Sequence, residues 1–196
     1  MTAPTIDVIT SWLKSQDNFD TINKNTYNWV IHMELPKRKQ NRLPYYDYST
    51  PNAYFITICT QNRRNLFWKN VGAIIDRPEN VPLNSYGIIV RQCIEDIAKH
   101  YSAISVDHYV IMPNHIHLLL QINTDDYGRS MIAPTISTVI RLMKGAATKH
   151  IGSTIWQKGY YDHIIRNEKD YLDVWNYIDG NPCKWADDEL FIGIDD

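Results

Sequence analysis

Three observations predict an α+β fold, a split βαβ antiparallel sheet with its helices on one face. Segments rich in β-branched and aromatic residues alternate with segments whose apolar residues recur every three or four positions. Their order along the chain is β-α-β-β-α-β, with one further helix at the end. The 196 residues suffice for one well-cored domain with additions.

Residues 1–35 read as an N-terminal extension. Ile6, Ile9, Trp12 and Leu13 have helical spacing and an Asn-rich polar stretch follows, giving a peripheral helix plus linker. Met33 is an alternative natural start. The main domain spans 36–185, with its regular structure beginning near Tyr45. Tyr54–Thr60 is a strand, and Arg63, Arg64 and Asn65 form the loop after it. A helix runs from Asn84 to about His100, with Ile89, Cys93, Ile94 and Ile97 as its apolar positions. A short strand near Ile104 and the run Tyr109–Leu120 are expected at the centre of the sheet. Pro134–His150 is the second helix; Thr135 can cap it, and Ile136, Val139, Ile140 and Met143 form its buried stripe. Trp156–Arg166 is extended. The last helix starts after Asn167 and stops near Gly180-Asn181-Pro182. Residues 186–196 form an acidic tail. This order matches a ferredoxin-like (RRM-like) arrangement, which leaves one sheet face open.

Composition excludes several classes. At 44% hydrophobic and 21% charged, the chain is of ordinary globular type. No apolar run approaches the ~20 residues of a membrane span, and the N-terminus lacks a signal-peptide layout; cytoplasmic location follows as the default, with no membrane partner. Cys59, Cys93 and Cys183 are too scattered for a disulfide framework and read as reduced, mostly buried thiols. The net charge of −2 does not mark a nucleic-acid binder. Its distribution is more telling: seven basic residues stand against two acidic ones between Met33 and Lys69. Such a segment can follow a phosphate backbone, or it can be a solvated surface.

The strongest chemical signal is His115-Ile116-His117. Residues i and i+2 of a strand share a face, so both imidazoles leave one side while Ile116, Leu118 and Leu120 leave the other. Polar nitrogens on an apolar face need partners. A divalent metal satisfies both rings and leaves positions for a substrate phosphate once an oxygen ligand is added. The alternative is a hydrogen-bonded pair of core histidines.

The last helix offers that oxygen. Tyr171, Val174, Trp175 and Ile178 form its core stripe, and Tyr177 lies about 120° from the stripe centre. Asn181, four residues on, returns to nearly the same face. A tyrosine hydroxyl is a competent nucleophile toward phosphate, and its ester conserves the energy of the cut strand. Tyr160, Tyr161 and Tyr171 are rival nucleophiles, and Asn181 beside Pro182 also reads as a simple helix-end residue.

The segments Tyr109–Leu120, Trp156–His163 and Tyr177-Ile-Asp-Gly-Asn-Pro182 resemble the single-tyrosine HUH transposases. These are the insertion-sequence-200-like proteins, in particular the REP-associated tyrosine transposases. Tyr46–Arg64 is similar to that subgroup's opening strand, and the likeness covers roughly residues 36–185. It implies a DNA transposase that cleaves and rejoins single-stranded DNA at hairpin ends through a 5′-phosphotyrosine. By this resemblance His115, His117 and Asn181 bind Mg2+ or Mn2+, and Tyr177 is the catalytic nucleophile. The family includes both monomers and homodimers.

Arg63, Arg64, Arg141, Lys144 and His163 are candidate DNA contacts, Arg63 and Arg64 toward a phosphate or a hairpin, Arg141 and Lys144 along the DNA backbone. Lys149 recurs on the same side of its helix as Arg141 and Lys144. Tyr45, Tyr46, Tyr54 and Trp156 read equally as stacking platforms for unpaired bases or as core. Two rival functions remain: a domesticated hairpin-binding protein that does not cut, and a replication initiator or relaxase that nicks without moving an element.

Overall fold

The computed structural model describes residues 46–69, 81–124 and 135–192. The helix expected around Ile6–Leu13, its linker and Tyr45 lie outside the described residues. Four strands, β1 (Ala53–Cys59), β2 (Ile104–Ile111), β3 (His115–Ile122) and β4 (Tyr161–Ile164), form one antiparallel sheet in the order β2-β3-β1-β4. Three helices, α1 (Ser85–His100), α2 (Ile136–Ile151) and α3 (Glu168–Gly180), complete the expected α+β order.

Two expectations change at the sheet. The run Tyr109–Leu120 is not one strand. Met112, Pro113 and Asn114 make a turn, so Tyr109–Ile111 complete β2 and His115 opens β3. Proline has no N–H for the ladder, which makes Pro113 a natural corner; Met112 N donates to His115 O across it at 2.9 Å. The strand near Ile104 is therefore eight residues long and lies at the edge, while β3 and β1 hold the centre.

Alternation along β3 follows the sequence. Ile116, Leu118, Leu120 and Ile122 pair with the β1 face of Ile56 and Ile58, and all are essentially inaccessible. The helix pair α1–α2 covers this face. Asn84 caps α1 by accepting from Tyr86 N and Gly87 N. Its buried positions are Gly87, Val90, Cys93, Ile94 and Ile97. Val90 thus takes the place expected for Ile89, which is only half-buried. Thr135 caps α2 as expected, and Ile136, Val139, Ile140 and Met143 are its buried stripe with Ala147. Gly152, with φ 80°, ends it.

The third helix lies on the opposite face, against β2 and β3. Asn167 caps it by accepting from Asp170 N at 2.9 Å. Ile178 is buried, with Tyr171 and Val174 half-buried beside it. Trp175 departs from the expected core stripe: it is 36% exposed and stacks on His108 of β2, ring centroids 4.3 Å apart. The histidine face is therefore roofed rather than open. Of the aromatic candidates, Tyr54 and Trp156 belong to the core. Cys59 is partly buried and Cys93 buried, but Cys183 is exposed. No described helix is long and apolar enough to cross a membrane.

Candidate active site

His115 and His117 leave β3 on one face, opposite Cys59 and Thr57 of β1. Their Nε2 atoms stand 2.9 Å apart. Both rings are buried, at 0% and 2% exposure.

The outer nitrogens explain why these atoms converge. Asn114 Nδ2 donates to the Leu190 carbonyl at 2.8 Å. A carbonyl can only accept, so the amide orientation is fixed and Asn114 Oδ1 faces His115 Nδ1 at 2.8 Å. His115 Nδ1 therefore carries the proton and its Nε2 lone pair is bare. Thr57 Oγ1 lies 2.9 Å from His117 Nδ1, and a hydroxyl serves either tautomer. Phe55 stacks on the His117 ring at 5.1 Å. Such outer partners orient metal-ligating imidazoles.

The rings are held neutral. Burial, and then the Arg63 charge, pull His115 down to about 3. Burial, followed by the neighbouring His115, puts His117 well below the usual imidazole range. Neutral imidazole is the form that binds metal.

Tyr177 leaves α3 toward this pair. Its hydroxyl is 3.4 Å from His117 Nε2, and its ring meets Phe55 edge-on at 5.9 Å. It is 47% exposed, so a substrate can reach it. Burial and then the Asp188 carboxylate raise its phenol above the ordinary tyrosine value, with the Asn181 amide opposing. The phenol is protonated in this state. Of the rivals, Tyr171 donates to Asp107 and Tyr160 bonds Ser137, while Tyr161 lines the rim of the cleft.

Asn181 continues the helical backbone past Gly180, with φ −60° and ψ −44°. The chain does not break at the glycine, and Asn181 stays on the side of Tyr177. It is 5% exposed; its Nδ2 donates to Asp188 Oδ2 at 3.1 Å, and its Oδ1 is buried without a hydrogen-bond partner.

Asp188 belongs to the segment read from sequence as an acidic tail. A 3-10 turn, Pro182–Asp187, reverses the chain after α3, and buried Trp185 anchors it beside His115. Asp188 Oδ2 comes within 4.0 Å of His115 Nε2, its side chain 4% exposed. His115, His117 and Asp188 thus present ligand atoms within 4.8 Å of one another. Asn181, hydrogen-bonded to Asp188 through its Nδ2, keeps its Oδ1 unpaired next to this group. Two neutral imidazoles with carboxylate and amide oxygens fit a first-row divalent ion or Mg2+.

A cleft of about 570 Å³ leads to His117 and Tyr177, bounded by Phe55, Thr57, Cys59 and Tyr161. The candidate DNA contacts differ in how free their side chains are. Arg63 and Arg64 are exposed in the turn after β1. Arg141 is exposed on α2, a helix of the opposite layer. Lys144 is engaged: its Nζ donates to Gln157 O at 2.7 Å and Gly159 O at 2.8 Å. His163 holds Asp170 at 3.0 Å and so joins β4 to the start of α3.

Residues 50–181 match the family described as Transposase IS200 like. The chain belongs to the IS200-like transposase family. The matched range begins just before β1 and ends on Asn181, so it holds the histidine pair and the tyrosine helix. An uncharacterized Haemophilus influenzae protein is 35% identical over 185 residues, covering 85% of this chain and 97% of that one. A second protein of that organism, assigned as a REP-associated tyrosine transposase, is 27% identical over 146 residues, covering 70% and 74%. Among solved structures, a REP-associated tyrosine transposase bound to a REP hairpin superposes with TM-score 0.52 at 23% identity, covering 73% and 74%. That likeness establishes the shared fold.

Sequence reading missed Asn114, Thr57 and Asp188. Asn114 had a usable signal, since it adjoins His115; Thr57 had none, because its pairing with His117 is a matter of register. Asp188 had only its spacing of seven from Asn181, which says nothing until the turn at Pro182 is known.

Proposed function

We propose that this transposase cuts and rejoins single-stranded DNA at hairpin ends through a 5′-phosphotyrosine on Tyr177. The observation that carries the reading is the 3.4 Å approach of the Tyr177 hydroxyl to the Nε2 atom of a buried, neutral histidine pair. A surface tyrosine with a structural role would not need two convergent imidazoles beneath it.

In this reading Tyr177 Oη bonds to the scissile phosphorus as the P–O3′ bond breaks. The phenolic proton passes to solvent, and the expelled 3′ oxygen ends as a hydroxyl. The phosphodiester count is unchanged, so the 5′-phosphotyrosine can later transfer to another 3′-hydroxyl. His115, His117, Asp188 and Asn181 would hold Mg2+ or Mn2+, which supplies Lewis-acid stabilisation of charge on the phosphate. Asn114 and Thr57 hold the imidazoles in place, and Phe55 fixes the planes of His117 and Tyr177. Arg63, Arg64 and Arg141 offer exposed guanidiniums to the DNA backbone; Lys144 and His163 would meet it only by exchanging a protein partner.

Incubation with hairpin-bearing single strands and Mn2+ or Mg2+ should give a covalent protein–DNA adduct. Tyr177→Phe should abolish it while hairpin binding persists. Hairpin binding without any adduct from the wild-type chain would favour the non-cutting, domesticated reading instead.

A further inference from the structure

The turn after β1 is strained. Asn62 and Arg63 both have left-handed backbone, φ 58° and 55°. Asparagine visits this region locally, but arginine has no side-chain bond that favours it. Glycine would fit position 63 without strain, yet an arginine stands there.

Its surroundings impose the conformation. Thr60 is fully buried; its N donates to Asn114 O at 2.8 Å and its Oγ1 to Arg64 O at 2.8 Å. Gln61 N donates to Ile155 O at 2.7 Å, and Arg63 N to Thr60 O at 3.1 Å. Beyond the turn, Leu66 N and Phe67 N both donate to Pro113 O, at 2.8 and 3.1 Å. Both flanks are thus tied to Pro113-Asn114, the corner from which His115 departs. Backbone bonds fix Arg63 relative to the histidine pair. Strain held in this way clusters at functional sites.

Arg63 is exposed, and among the described residues it has no carboxylate partner. Cys59, which ends β1 directly before this turn, lines the cleft, so Arg63 stands four residues from the cleft wall. Arg64 differs: its backbone is extended and its carbonyl is taken by Thr60.

We propose that Arg63 is a catalytic residue that binds the phosphate attacked by Tyr177. This rests on the phosphotyrosine reading above. As the Tyr177 oxygen bonds to phosphorus and the P–O3′ bond breaks, negative charge grows on the non-bridging oxygens. A guanidinium donates two parallel N–H groups to them and neither gains nor loses a proton.

The test compares Arg63→Gly, Arg63→Lys and Asn62→Gly with the wild-type chain. The probe is a labelled single strand carrying the hairpin repeat nearest the gene, with Mn2+. Thermal midpoint, hairpin dissociation constant and single-turnover adduct rate are measured for each. Arg63→Gly should raise the midpoint by about 2–4 °C, lower the adduct rate about 10²–10³-fold, and weaken hairpin binding by less than about tenfold. Arg63→Lys should keep charge but lose the fork, with a rate between the two. Asn62→Gly should raise the midpoint and keep the rate. A wild-type adduct rate in Arg63→Gly overturns this proposal and leaves the Tyr177 reading intact. A rate loss matched by an equal loss of binding also overturns it, since Arg63 would then be a backbone contact only. Absence of any adduct from the wild-type chain overturns the parent reading and this one with it.

Discussion

Asn114 joins His115 Nδ1 to the Leu190 carbonyl, with 2.8 Å on either side. One buried amide therefore sets the tautomer of a candidate metal ligand and fixes the returning C-terminal segment. Asn114→Ala should lower Mn2+ affinity about 10–100-fold, the usual effect of losing such an outer partner. Calorimetric titration of the folded variant checks this; unchanged affinity would remove the role given to Asn114.

Gly87 marks the tightest approach in the helix layer. A Cβ there would lie 2.5 Å from the Phe67 carbonyl oxygen and 2.9 Å from Leu83. The oxygen is backbone and cannot swing away. Gly87→Ala should destabilise the fold by about 1–3 kcal/mol despite alanine's better helix propensity. Urea denaturation gives the value, and a stabilised variant would contradict the packing described.

Much of this architecture is legible from local chemistry. Asn84, Thr135 and Asn167 each cap the helix that follows them, because a short polar side chain before an apolar stripe has few other uses. The histidine faces follow from strand period alone. What sequence does not show is how distant segments meet. Pro113 sits inside an apolar run, and only the hairpin reveals that it separates two strands. Trp175 has the spacing of a core residue, yet it rests on His108 at the sheet edge. Asp188 reaches the histidines because Pro182 and Trp185 reverse the chain, a tertiary event with no local signature.

Acid should loosen the start of α3. Burial alone would raise the Asp170 carboxyl, but the Arg166 N–H and the His163 imidazole together hold it below the ordinary value. A lowered folded value means stability that is complete above the unfolded carboxylate pKa of ~3.9 and is lost as pH falls through the folded value. Below about pH 5 the midpoint gap between wild type and Asp170→Asn should therefore shrink as pH falls. A gap that grows on acidification would reverse the sign.

The seat of α3 on β2 depends on Trp175 over His108 and on Tyr171 donating to Asp107 at 2.9 Å. Trp175→Ala should cost about 1 kcal/mol of ring contact beyond lost burial. Amide exchange should quicken across α3 and remain slow in α1 and α2. Uniform quickening of all three helices would show instead that Trp175 supports the whole fold.

The account's central claim is that Tyr177 is the nucleophile. After reaction with a hairpin-bearing single strand and Mn2+, nuclease trimming and trypsin leave any linked nucleotide on a peptide. Cleavage after Lys169 and Lys184 places Tyr171 and Tyr177 together on the peptide Asp170–Lys184, and fragment masses distinguish them. The nucleotide should be found on Tyr177. A nucleotide on Tyr171, or on Tyr160 or Tyr161 in the peptide Gly159–Arg166, would contradict the assignment.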